Sequence, residues 1–132
     1  MNHFTSKIKV RYAETDQMGV VHHANYPLYF EEARLNWLDN LEISYATMEK
    51  DGIMLPVYKI SVAYHAPAHF DDVLSVTTSL VGKPTAKIVF DYRILNQEEK
   101  LIATGSTTLV FVDATSRKPI ACPKIILDRL GF

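Results

Sequence analysis

The sequence predicts an α+β fold in which one long amphipathic helix packs on a five-stranded, largely antiparallel sheet. Three features point there. One stretch, Pro27 to about Asn40, carries apolar residues at helical spacing; most of the remaining chain alternates with period two; and short turns join the alternating runs. A strand, a helix and then four strands bury both faces most economically when the helix lies across one face of the sheet.

Phe4 to Tyr12 opens the chain as a half-buried strand, with Phe4, Ser6, Ile8, Val10 and Tyr12 set against Thr5, Lys7, Lys9 and Arg11. Gly19 supplies the tight or left-handed position of the following loop. In the helix, Pro27 suits the first turn, where its missing N–H costs nothing. Phe30, Ala33, Trp37, Leu38 and Leu41 form its broad apolar face, and Glu31 is spaced to pair with Arg34 on the flank. A shorter helix around Tyr45 to Lys50 stops at Asp51-Gly52. Tyr58, Ile60, Val62 and Tyr64 then mark a second strand, and Leu74 to Leu80 a third. Gly82 to Pro84 makes a hairpin turn into Ile88 to Ile94, and Asn96 to Glu99 turns the chain into a last long strand, Leu101 to Val112. A short helix follows Pro123. No repeat, low-complexity segment or charge block interrupts residues 1–132, so one domain is expected. The open sheet leaves edges that commonly find a partner, which predicts a homodimer or homotetramer.

Composition excludes several classes. A chain of 132 residues can bury roughly two thirds of its unfolded surface. Fourteen basic against fifteen acidic residues give a net charge of −1, without the basic footprint that nucleic acid or an anionic membrane attracts. No apolar run approaches the ~20 residues of a membrane span, the N-terminus lacks the apolar core of a signal peptide, and a single cysteine, Cys122, permits no internal disulfide. A cytoplasmic protein is expected.

Chemistry concentrates in Arg11 to Tyr26, RYAETDQMGVVHHANY. Asp16 stands beside a glycine turn, two histidines and the start of the helix. A carboxylate near unpaired helix N–H groups suits attack on a polarised carbonyl: it can act as general base on water or as the nucleophile, while the N–H groups receive the developing oxyanion. Gly19 lets the backbone turn closely past Asp16, and Thr15 can bond near it. Asn25 suits a helix cap or a bond to the substrate, and Tyr26 either an acyl pocket or packing beneath the loop. His22 and His23 are loop residues beside the helix start. The four residues His22, His23, His65 and His69 fit no standard zinc spacing, and Cys122 has no base positioned to activate it, so neither a metal nor a catalytic thiol is expected.

The segments Tyr12 to Asp16, Gly19 to Val21 and His23 to Tyr26 resemble the signature of hotdog-fold acyl-CoA thioesterases, particularly the 4-hydroxybenzoyl-CoA and Tol-Pal-associated groups. Tyr64 to Ala68, Phe70 to Val73 and Val110 to Asp113 extend the resemblance over nearly the whole chain. It implies a curved antiparallel sheet wrapped around a central helix, a dimer with sheets joined edge to edge, and active sites at the subunit boundary. It implies further that Asp16 is the catalytic carboxylate, as general base or nucleophile, and that the main-chain N–H of His23 polarises the carbonyl. His22, Gly19, Asn25 and Tyr26 would border the substrate.

The implied reaction is hydrolysis of a short-chain or aromatic acyl-CoA to free acid and CoA, without a metal or redox cofactor. Coenzyme A is anionic, yet no glycine-rich phosphate loop appears. Lys83 and Lys87 at the hairpin, or Arg117 and Lys118 in a late loop, are the basic groups available for its phosphates; some family members carry arginines where this hairpin has lysines. Hydrolysis of acyl carrier protein thioesters, or a non-catalytic role in binding CoA esters or lipid, would use the same fold.

Overall fold

A computed structural model describes residues 2–132. The chain runs through β1 (His3–Lys9), α1 (Tyr26–Asn40), α2 (Tyr45–Lys50), β2 (Ile53–Met54), β3 (Val57–Tyr64), β4 (Val73–Leu80), β5 (Lys87–Leu95), β6 (Leu101–Val110), β7 (Val112–Asp113) and α3 (Lys124–Arg129). Short 3-10 turns at Tyr12–Glu14 and His23–Asn25 lie between β1 and α1. The main sheet is antiparallel in the order β1-β4-β5-β6-β3, and β2 and β7 form a separate two-stranded ribbon.

The expected helix-on-sheet layout is present, with three local differences. The first strand ends at Lys9 instead of Tyr12: beyond it the Val10 N–H donates to the Asp72 carbonyl and the Val10 carbonyl accepts from the Asp71 N–H, and Tyr12 enters a 3-10 turn, 77% exposed. The last strand breaks at Phe111, whose fully buried side chain turns inward while Val112 and Asp113 leave to pair with β2. Arg34 does not pair with Glu31. It is buried, and its Nη1 donates to the Tyr92 hydroxyl at 3.1 Å.

The core lies between α1 and the inner sheet face. Tyr26, Tyr29, Phe30, Ala33, Trp37 and Leu38 are buried on the helix, against Val76, Phe90, Tyr92 and Ile94 of the sheet. Each large apolar side chain so buried contributes about 1.5–3 kcal/mol relative to leaving it exposed. Phe30 stacks on Tyr92 with ring centroids 4.2 Å apart, and Trp37 meets Phe90 edge-on at 5.7 Å. Gly105 of β6 lets α1 come this close: a Cβ there would stand 2.5 Å from the Phe30 ring and 2.7 Å from the Ser61 carbonyl oxygen.

The outer sheet face is polar where β1 meets β4, with Thr5 bonded to Thr77 and Lys7 to Ser75. The two sheet edges differ. On β1 the exposed residues include Lys7 and Lys9. On β3, Val57, Tyr58, Ile60 and Tyr64 keep 42–68% of their surface, and only Val62 packs partly on the core. No helix among the described residues is long and apolar enough to cross a membrane.

Candidate active site

The loop from Arg11 to Asn25 is closed on itself by main-chain bonds. Thr15 pairs with Val21, and Val20 with His69. The Asp16 N–H donates to the Val20 carbonyl at 2.9 Å, and the Gly19 N–H to the Asp16 carbonyl at 3.0 Å, with Gly19 at φ 80° as its role in the turn requires. The carboxylate of Asp16 is exposed. Its Oδ1 accepts from the Met18 N–H at 2.8 Å, an Asx turn that fixes its direction. Oδ2 has no hydrogen-bond partner among the described residues.

His22 and His23 differ in role. The His22 ring accepts from the Ala24 N–H through Nδ1 at 3.2 Å, capping the 3-10 turn, which leaves the proton of the neutral ring on Nε2. The N–H groups of His22, Ala24 and Asn25 all have acceptors, whereas that of His23 has none among the described residues. The His23 carbonyl accepts from Tyr64 Oη at 3.1 Å, so the free donor sits on a peptide segment held from two sides. Asn25 does not cap α1 with its side chain; its Nδ2 donates to the Glu14 carbonyl at 2.8 Å, which assigns it to loop architecture.

An open cleft of about 300 Å³ lies beside this turn, lined by Val21, His23, Tyr26, Tyr64, His65 and Pro67. Asp16 lies outside this lining, next to the Thr15–Val21 pair that forms one side of it. Main-chain pairing thus ties the Asp16 loop to the segment that carries the His23 turn and its cleft, with Asp16 itself outside the cleft lining.

The sequence matches the thioesterase-like superfamily over residues 10–130. The chain belongs to that superfamily. YneP of Bacillus subtilis is 38% identical over 122 residues, 92% of this chain and 88% of its own length. The acyl-CoA thioester hydrolase YbgC of Escherichia coli O6:H1 is 35% identical over 124 residues, covering 94% of this chain and 92% of its own. Among solved structures, the DHNA-CoA thioesterase of Staphylococcus aureus superposes with a TM-score of 0.88 at 39% identity, over 92% of this chain and 81% of that one. This thioesterase is therefore an enzyme of thioester hydrolysis with the hotdog fold.

Glu14 organises this candidate site, a part that the sequence motif assigns to Asp16, two residues on. Its carbonyl accepts from the His22 N–H and from Asn25 Nδ2; its carboxylate accepts from the Arg11 N–H at 2.8 Å, from Arg11 Nε at 3.1 Å and from Tyr29 Oη at 2.9 Å. One residue ties the Asp16 loop, the His23 turn and α1 together. The signal was its place two residues before Asp16, with Arg11 three residues earlier. Burial, and then the hydrogen bond to Glu14, hold the Tyr29 hydroxyl well above the usual phenol range. Burial pushes Tyr26 up to about 12 against a hydrogen bond from the Ala68 main chain. Both phenols stay neutral donors under any ordinary condition.

Lys83 and Lys87 are not brought to this site within one chain. The β1–β4 register places Lys9 beside Val73 and His3 beside Ser79, so the Asp16 loop and the β4–β5 hairpin leave opposite ends of the sheet. Lys87 instead lies over the Tyr58 ring, 4.7 Å from its centroid. Arg117 and Lys118, in the turn after β7, belong to the hairpin's end, since Lys87 pairs with Val110. Among the described residues no three His, Cys, Asp or Glu side chains gather as a metal ion would need. Cys122 is buried, and burial pushes its thiol up to about 11.

Proposed function

We propose that this thioesterase hydrolyses acyl-CoA esters, with Asp16 as the reacting carboxylate and the His23 N–H as the oxyanion donor. The unpaired His23 N–H beside the Asp16 loop carries this reading. Water adds to the thioester carbonyl as Asp16 takes its proton; the carbonyl oxygen becomes an oxyanion held by His23; the C–S bond then breaks and the CoA thiolate leaves with the proton. Direct attack by Asp16 Oδ2 would form an anhydride that water then opens, using the same donor. Neither route calls for a metal or redox cofactor, and the proposed setting is the cytoplasm. Gly19 and His22 shape the loop, Asn25 fixes it, and Tyr26 floors the acyl entrance.

The working unit proposed is a homodimer built by pairing the β3 edges. The exposed apolar side chains of β3, against the lysines of β1, favour that edge. A two-fold axis through the middle of an antiparallel β3 pair brings the Val57 end of one strand beside the Tyr64 end of the other. Each cleft at Tyr64 then faces the partner's Tyr58 and the basic hairpin end, where Lys83 and Lys87 hold the CoA phosphates. Two such dimers would make the homotetramer.

The test separates donor from side chain. His22 has the extended backbone (φ −63°, ψ 136°) that precedes a proline, so His23→Pro suits the turn and deletes the N–H together with the imidazole, whereas His23→Ala removes the imidazole and keeps the N–H. It should lower kcat on acyl-CoA by about 10²–10³, Asp16→Asn by about 10²–10⁴, and His23→Ala far less. Normal turnover in His23→Pro would remove the oxyanion assignment.

A further inference from the structure

Two planar peptide units meet at the His23 Cα, and they are held differently. The first, His22–His23, carries the N–H that is unpaired among the described residues, while its carbonyl accepts from the Asn25 N–H at 3.0 Å. The second, His23–Ala24, is bonded at both ends. Its carbonyl accepts from the Tyr26 N–H and from Tyr64 Oη, the latter at 3.1 Å, and its N–H donates to His22 Nδ1 at 3.2 Å.

The two side chains on this second unit come from different parts of the fold. His22 precedes the turn and reaches over it, with its ring against that of His23 at a centroid separation of 4.2 Å. Tyr64 is the last residue of β3 and reaches in from the sheet edge; its ring stands edge-on to Tyr26 at 5.3 Å and to His23 at 6.4 Å. Tyr64 stays 52% exposed, and His22 is exposed as well. Hydrogen bonds at such positions add little stability, because water takes the place of a lost partner. Water does not supply a fixed direction. The turn itself is only three residues of 3-10 helix, whose internal bonds are poorly aligned, so its peptide planes depend on partners outside it.

We propose that Tyr64 and His22 are positioning residues of the hydrolytic reaction: they lock the His23–Ala24 peptide from its two ends and thereby aim the His23 N–H at the thioester oxygen. The proposal rests on the oxyanion reading given above. The lock reaches the donor through the chain that follows. Fixing the second unit fixes Ala24, and with it the Asn25 N–H that holds the His22 carbonyl. In a trans peptide the N–H points opposite to the carbonyl, so holding that oxygen sets the direction of the donor. Neither side chain gives charge or a proton to the reacting atoms; both act through the main chain of His23, where small misplacements are expensive in rate.

The test is steady-state hydrolysis of benzoyl-CoA and butanoyl-CoA by the intact protein. Tyr64→Phe keeps the ring contacts and removes the hydroxyl alone; kcat should fall about three- to tenfold, the worth of one hydrogen bond, with KM little changed. His22→Ala should do the same, and His22→Asn, whose side-chain oxygen is a favoured cap acceptor, should recover most of the loss. Two backgrounds decide the matter. In His23→Ala, which keeps the N–H, Tyr64→Phe should cost its full factor; in His23→Pro, which lacks it, Tyr64→Phe should cost nothing further. Equal losses in both backgrounds, a wild-type kcat in Tyr64→Phe, or a raised KM at constant kcat overturns the lock and leaves the oxyanion donor in place. Normal turnover in His23→Pro, or hydrolysis of neither ester by the wild type, overturns donor and lock together.

Discussion

Replacing Gly105 with alanine tests how α1 is seated. The added methyl carbon would lie 2.5 Å from Phe30 Cε2 and Cζ and 2.7 Å from the Ser61 carbonyl oxygen. Carbon pairs settle at about 3.5–4.0 Å, so the ring must retreat by roughly 1 Å or more. Phe30 is fully buried and stacked on Tyr92, which leaves it no free space on that side. Relief therefore has to come from lifting the helix or displacing β3, and overpacking of this kind costs about 1–3 kcal/mol. For a chain of this length each kcal/mol lowers Tm by roughly 3–5 °C. Thermal and urea unfolding of Gly105→Ala should show that loss. Phe30→Leu lacks the two clashing atoms, so the double variant should be more stable than the sum of the single changes by about 0.5–3 kcal/mol. The Ser61 contact would persist, leaving the rescue incomplete. A Gly105→Ala protein within about 0.5 kcal/mol of the parent, or strict additivity with Phe30→Leu, would refute the account of close helix–sheet approach.

Three other outcomes are expected. Glu14→Ala removes the carboxylate that joins Arg11 to Tyr29; kcat should fall by up to about a hundredfold through misplacement of the Asp16 loop with KM little changed, and full kcat would show the loop is positioned without it. Ile60→Lys places a charge in the middle of the β3 edge and should yield a monomer by sedimentation, with turnover lost; an active wild-type monomer would contradict the shared-site assembly. Burial pushes the Cys122 thiol from its ordinary 9.0 up to about 11, so its contribution to stability is complete below about pH 9 and lost as pH rises toward 11. Native Cys122 should accordingly alkylate about a hundredfold more slowly at pH 8 than in the unfolded chain, and equal rates would disprove its burial.

Periodicity made the large elements legible. The spacing of Phe30, Ala33, Trp37 and Leu38 located α1 and its buried face, and Gly82 to Pro84 located the hairpin, because these features are written in neighbouring residues. Properties set by distant partners were less accessible. Tyr12 continues the alternation of β1 but leaves the strand, since the main chain of Asp71 and Asp72 turns away with Val10. Arg34 has the spacing of a surface partner for Glu31, yet the sheet offers it Tyr92. The Asp16 to Tyr26 signature was clear as a motif, whereas the hub at Glu14 emerges only once Tyr29 and Asn25 fold back on it. Lys83 and Lys87 stand out by their charge and by their place at a hairpin where some family members carry arginines, and neither reveals which end of a sheet that hairpin occupies.

The contrast between the two sheet margins also bears on solubility. A strand that is apolar and unprotected on both sides invites endless lateral growth, the geometry of fibrils. Here one margin is guarded by Lys7 and Lys9, so the proposed joining of the other would leave nothing sticky at either extremity. In the proposed dimer the pair is its own stopper, and replacing those two lysines with valines is expected to turn a finite particle into a ribbon.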